Sequence, residues 1–193
     1  MKKASHSPIQ LLGIAGSIRR ESYNSTVLQT IAKLLSEELE LQIFPLNDIP
    51  LYNADLDGDS PPDAVRALKS SIEHSDGLII CSPEYNYGMP GVLKNALDWA
   101  SRPNFQSPLK GKPALIMTAS PGTAGGVRAQ YQIREVLSAA LARPIARQHV
   151  AIAQVNQKIV DGKLTDETTI NFVLKAIEDL IGEVRLVGKR LPK

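Results

Sequence analysis

The chain has 193 residues, enough for one α/β domain with a substantial core and too few for two ordinary ones. Hydrophobic residues make up 43% and charged residues 22%, a globular balance that excludes a disordered chain. The 22 basic and 20 acidic residues leave a formal charge of +2, so neither nucleic acid nor a membrane surface is an expected partner.

There is one cysteine, Cys81, which rules out an internal disulfide and fits a reducing compartment. Met1–Pro8 carries two lysines but leads into no apolar signal segment. No apolar run approaches the ~20 residues of a membrane helix. These features together give a cytoplasmic expectation.

In chain order, a strand is expected at Ile9–Ala15 and a helix at Ser25–Leu39, with Val27, Leu28, Ile31, Leu34 and Leu35 on one face. A second strand follows at Leu39–Phe44. The Pro/Asp-rich loop Pro45–Pro62 leads to a helix at Asp63–His74 and a strand at Gly77–Ser82. A helix at Gly91–Ser101 has Val92, Leu93, Ala96, Leu97 and Ala100 at helical spacing. Then come a strand at Pro113–Ala119, a helix at Val127–Ala142, a strand at Ala146–Ala153 and a helix at Asp166–Val187. One domain over residues 8–187 is expected, with flexible tails at 1–7 and 188–193.

Alternating strands and helices imply a parallel sheet covered on both faces. The third and fourth strands, Leu78-Ile79-Ile80-Cys81 and Ala114-Leu115-Ile116-Met117, are continuously apolar, as central strands should be. The second alternates and the fifth contains Gln148 and His149, which suits sheet edges. The strand order 2-1-3-4-5 follows, a flavodoxin-like doubly wound sheet. In such sheets the ligand sits beyond the carboxyl ends of the strands, so the loops after strands 1, 3 and 4 are the ones to inspect.

The first of these loops contains Gly16, Ser17, Arg19, Ser22, Asn24 and Ser25 and ends at a helix N-terminus. Hydroxyls, a guanidinium and helix amides favour an anion, although Ser and Asn here can equally serve as helix caps. It has no Gly-Lys-Ser/Thr and no Gly-x-Gly-x-x-Gly, so a monophosphate suits it better than a pyrophosphate. Asn24-Ser25-Thr26 also matches a glycosylation sequon, which has no meaning without secretion.

The second loop, Ser82 to Gly91, has stiffening prolines, the flat faces of Tyr85 and Tyr87, and Gly88 and Gly91 for close approach. Such a loop can hold a planar heteroaromatic group. Glu84 has the chemistry of a general base but no second carboxylate or histidine near it in sequence. The third loop supplies Ser120, Gly122, Gly125 and Gly126, which complete a three-sided cleft. Cys81 reads as a small buried hydrophobe and Trp99 as packing. His6, His74 and His149 lack metal-ligand spacing. Arg102 is read either as facing a charged ligand or as facing a partner subunit.

Two stretches carry a resemblance. Gly16-Ser17-Ile18-Arg19-(x)-Glu21-Ser22-(x)-Asn24 and Pro83-Glu84-Tyr85-Asn86-(x)-(x)-Met89-Pro90-Gly91-Val92-Leu93-Lys94-Asn95-Ala96-Leu97-Asp98-Trp99 resemble the NAD(P)H-dependent FMN reductases of the flavodoxin-like superfamily. That family includes quinone, azo-dye and chromate reducers. The resemblance spans Ile9 to Val187. It implies that Ser17, Arg19, Asn24 and Ser25 hold an FMN phosphate, that Pro83, Glu84, Tyr85 and Asn86 line the isoalloxazine, and that Ser120 with its glycine neighbours flanks it. It further implies NAD(P)H as co-substrate, a small-molecule acceptor reduced by a ping-pong scheme, no catalytic side chain, and a homodimer or homotetramer. The runner-up functions are a flavodoxin-like electron carrier and a non-catalytic FMN-binding protein. Carriers are usually strongly acidic, and +2 argues against one.

Overall fold

In the computed structural model, which describes residues 7–190, the apolar alternation of the strands sets the architecture. Strands β1 (Ile9–Ala15), β2 (Leu39–Phe44), β3 (Gly77–Ser82) and β4 (Pro113–Ala119) pair in parallel in the order β2-β1-β3-β4. In β3, Ile79 and Cys81 pack to one side while Leu78 and Ile80 pack to the other. Both faces are therefore apolar and each takes its own helix layer.

One layer is α1 (Tyr23–Ala32) with α5 (Glu167–Arg190), which bury Val27, Leu28, Ile31, Val173, Ile177 and Leu180. The other is α2 (Asp63–His74), α3 (Gly91–Ala100) and α4 (Val127–Ala139), which bury Val65, Leu68, Ile72, Leu93, Leu97 and Ile133. Each such side chain contributes about 1.5–3 kcal/mol of transfer free energy. Trp99 is fully buried in the second layer: its indole donates to Pro50 O at 2.8 Å and it meets Tyr52 edge-on at 4.9 Å. The packing reading of Trp99 holds, and the contact pins the long 45–62 loop to α3.

The expected fifth strand at Ala146–Ala153 is corrected. The edge consists of β5 (Arg143–Pro144), paired with Pro113–Ala114, and β6 (Val150–Ile152), paired with Met117–Ala119. Between them residues 145–149 bulge out opposite only Leu115 and Ile116. Pro144 lacks an N–H, and an edge position tolerates both that and a bulge. The order 2-1-3-4-5 stands, with the fifth position split in two.

A hairpin of β7 (Ile159–Val160) and β8 (Lys163–Leu164), absent from the sequence reading, turns through Asp161 (φ 48°) and Gly162 (φ 69°). α1 ends at Ala32 instead of Leu39, and Leu34 is left half exposed. α5 starts one residue later than expected because Asp166 caps it, accepting from Thr169 N at 2.9 Å. The hydroxyl and N–H of Thr169 hold that carboxyl below its usual range. The expected tail at 188 is instead helix up to Arg190, while 1–6 and 191–193 lie outside the described residues. No described helix is long and apolar enough to cross a membrane.

Candidate functional site

The loops after β1, β3 and β4 meet in a cleft of about 260 Å³. From the expected residues it is lined by Ser17, Arg19, Ser22, Asn24, Pro83, Glu84, Tyr85 and Ser120. Tyr23, Ala119 and Pro121 also line it, and no sequence argument had singled them out.

Gly16 lies beneath the cleft. Its N–H donates to Cys81 O at 2.8 Å, and a Cβ there would meet Ser82 Oγ at 2.4 Å. Only glycine lets β1 and β3 approach this closely at the loop root.

The three serines share one arrangement. Ser17 Oγ accepts from Arg19 N at 3.3 Å, Ser22 Oγ from Ser25 N at 3.3 Å, and Ser120 Oγ from Gly122 N at 3.2 Å. Each oxygen thus accepts from its own loop, and its hydroxyl hydrogen remains a free donor. The N-terminus of α1, with Ser22, Tyr23 and Asn24, borders the same cleft. Arg19 stacks over Tyr23 at 5.1 Å and joins no ion pair among the described residues.

Asn24 lines the cleft, but its side chain turns inward. Its side chain is buried: Oδ1 accepts from Ala119 N at 3.2 Å and from Cys81 Sγ at 3.3 Å, while Nδ2 donates to Ala119 O at 3.2 Å. The carboxamide expected on a phosphate instead latches the first turn of α1 to the ends of β3 and β4. Ser25 lines a second cavity behind the loop, which shares Ser17 and Arg19 with the cleft.

In the β3 loop, Tyr85 and Gly88 exchange backbone hydrogen bonds of 2.9 and 3.0 Å around Asn86 (φ 50°) and Tyr87 (φ 65°). This is a tight primed turn, and a tyrosine in the left-handed region costs about 1 kcal/mol or more. Two contacts from α4 hold it. Arg128 lies over the Tyr87 ring at 4.4 Å, and Gln132 Oε1 accepts from Met89 N at 3.0 Å. Asn86 is at the exposed tip and does not line the cleft. Glu84 accepts from Arg128 N at 2.8 Å and from its guanidinium at 3.2 Å, so the cleft's one carboxylate is engaged by a cation and by the α4 N-terminus. Nothing in the sequence signals Arg128 or Gln132, which come from an element more than forty residues downstream.

Gly125 (φ 60°) and Gly126 (φ 78°) are buried and do not flank the cleft. A Cβ on Gly125 would meet Ala151 C at 2.9 Å. Gly122 is exposed and is also not among the residues lining the cleft.

A larger cavity, about 510 Å³, lies at the opposite, amino end of β3 and β4. Two of its cations are engaged: Lys112 binds the carbonyls of Glu73 and Ser75, with burial pushing its pKa down, and Arg143 pairs with Glu183 at 2.6 Å, while Lys110 is exposed. Sheet topology favours the smaller cleft, which lies at the carboxyl ends of the strands.

Comparison with known proteins identifies the family. Residues 9–157 match the family model described as NADPH-dependent FMN reductase. An NAD(P)H-dependent FMN reductase of Pseudomonas aeruginosa is 39% identical over 173 residues, covering 89% of this chain and 93% of the relative. A quinone reductase of Escherichia coli is 38% identical over 186 residues, covering 92% and 98%. The solved structure of FerB, a flavoenzyme NAD(P)H:(acceptor) oxidoreductase from Paracoccus denitrificans, superposes with a TM-score of 0.78 at 35% identity, covering 93% of this chain and 97% of that one. The chain belongs to the NADPH-dependent FMN reductase family.

Proposed function

We propose that the three-loop cleft holds FMN and that the protein transfers reducing equivalents from NAD(P)H to a small acceptor, a quinone first among those to test. The observation that carries this is the donor set: three serine hydroxyls, an arginine outside any ion pair among the described residues and a helix N-terminus, lining one cleft with a proline- and tyrosine-lined wall. These groups suit a phosphate monoester bearing a flat ring. Bound FMN supplies the hydride acceptance and electron relay of the reaction.

The chain's own residues bind, orient and enclose. Ser17, Arg19, Ser22 and the α1 amides take the phosphate, and Asn24 holds those amides in place from below. Pro83, Tyr85, Ser120 and Pro121 offer the walls for the ring. Glu84 and Arg128 fix the β3 loop and move no proton.

NAD(P)H leaves before the acceptor enters, in a ping-pong scheme. The quinone-reducing relative from E. coli supports a quinone as acceptor. Residues 8–187 work as one domain, in a homodimer or homotetramer. Exposed Tyr85 in the cleft wall and exposed Tyr87 beside it in the same turn support a second subunit there. The lone buried Cys81 suits a cytoplasmic setting. Initial rates of NADPH oxidation against a benzoquinone, with FMN added, test the reading. Parallel double-reciprocal lines are expected, and no turnover with either nicotinamide would refute it.

A further inference from the structure

Behind the first loop lies a second cavity, of about 390 Å³, between the carboxyl ends of β1 and β2. It shares Ser17 and Arg19 with the cleft, so the two adjoin across that loop. Its volume falls within the roughly 300–1,000 Å³ range of small-molecule sites. Ile18 and Phe44 give it apolar surface, and Arg20, Gln29 and Asn47 polar groups. Arg19 and Arg20 both line it, and no carboxylate does. In a chain with 22 basic and 20 acidic residues, this is a marked local excess of positive charge. Arg20 is exposed and joins no ion pair among the described residues.

We infer that this cavity takes the 2′-phosphoadenosine end of NADPH, with Arg20 on the 2′-phosphate and the purine against Ile18 and Phe44. The inference rests on the reading that FMN occupies the neighbouring cleft. A dinucleotide that reaches the first cleft with its nicotinamide must lodge its other end nearby, and this cavity is contiguous. Arginine's planar fork pairs bidentately with phosphate, and an arginine is the usual means of accommodating a 2′-phosphate. The carboxamides of Gln29 and Asn47 carry both donors and acceptors, as a purine edge requires. Arg19, shared with the first cleft, serves the flavin phosphate, which leaves Arg20 for the nucleotide. Arg20 thereby sets a preference for NADPH over NADH.

The test uses 2′-AMP and 5′-AMP as probes, titrated by calorimetry into FMN-loaded and flavin-free protein, with Arg20→Ala alongside. A charged hydrogen bond predicts 2′-AMP binding about tenfold or more tighter than 5′-AMP, with Arg20→Ala abolishing the difference. In steady state the same substitution raises KM for NADPH relative to that for NADH by about tenfold or more. Equal binding of the two nucleotides, or an unchanged KM ratio in Arg20→Ala, overturns the inference. So does displacement of FMN by 2′-AMP, which would make the cavity the flavin phosphate's own seat and leave the proposed function intact. Failure to bind FMN at all would sink the proposed function instead, and the flavin-free titration still decides this one.

Discussion

Replacing Asn24 with alanine separates a latch from a ligand. The side chain is 3% exposed and satisfies both backbone groups of Ala119, itself 1% exposed. Alanine leaves that N–H and C=O unpaired, together with the Cys81 thiol donor. An unsatisfied buried group costs about 1–3 kcal/mol, and the thiol, a weak donor, adds little. The cleft gives water some access to the end of β4, so a total near 2–4 kcal/mol is expected. With a urea m-value of about 2 kcal/mol/M, the unfolding midpoint falls by roughly 1–2 M. Urea melts of the two proteins without flavin give this number directly. FMN affinity, measured in parallel, falls only through loosening of the first turn. Coincident melts with FMN affinity lowered tenfold or more would refute the latch and return the carboxamide to the phosphate.

Arg19→Ala should weaken FMN binding by roughly 10- to 150-fold at unchanged stability, since it removes one charged hydrogen bond from an exposed side chain; flavin fluorescence titration reads it. Gly125→Ala should cost about 2–4 kcal/mol, from a left-handed alanine and a clash at 2.9 Å with the Ala151 backbone. Gly122→Ala, with Ser120 Oγ at 3.6 Å as its nearest contact, should cost under about 0.5 kcal/mol in the same melts. Complete burial pushes the Cys81 thiol far up from its ordinary value. Native protein should therefore resist thiol reagents at pH 8 and react only after denaturation. The unfolded thiol ionises first, near pH 8.5, so this group's contribution to stability is full below about pH 8.5 and declines above it.

The sequence reading was sharpest where burial is two-sided. β3 and β4 are continuous apolar runs between turn residues, and their bounds, with those of β1, β2 and α2, coincide with the structure. It failed where periodicity outlasts the element. Leu34 and Leu35 continue the α1 stripe, yet the chain must turn at Ser36 to enter β2, with Leu39 N donating to Ser36 O at 3.0 Å. At the fifth strand the apolar content was visible, but the bulge was not, because it depends on which residues of β4 it faces. The β7–β8 hairpin carried a readable Asp-Gly turn signal. In the site, the three loops were legible from topology and residue type. The inward turn of Asn24 and the burial of Gly125 and Gly126 were not, since each depends on contacts with strands distant in sequence. The Glu84–Arg128 clamp was hidden for the same reason.

The central claim is that the hydroxyls, Arg19 and the helix amides at the cleft exist to bind a flavin by its phosphate. Parallel titrations of the purified protein with FMN and riboflavin, followed by flavin fluorescence, test it most directly. FMN should bind at least tenfold more tightly than riboflavin, since each charged hydrogen bond to the phosphate is worth about 1.5–3 kcal/mol. Equal affinities, or binding of neither flavin, would contradict it.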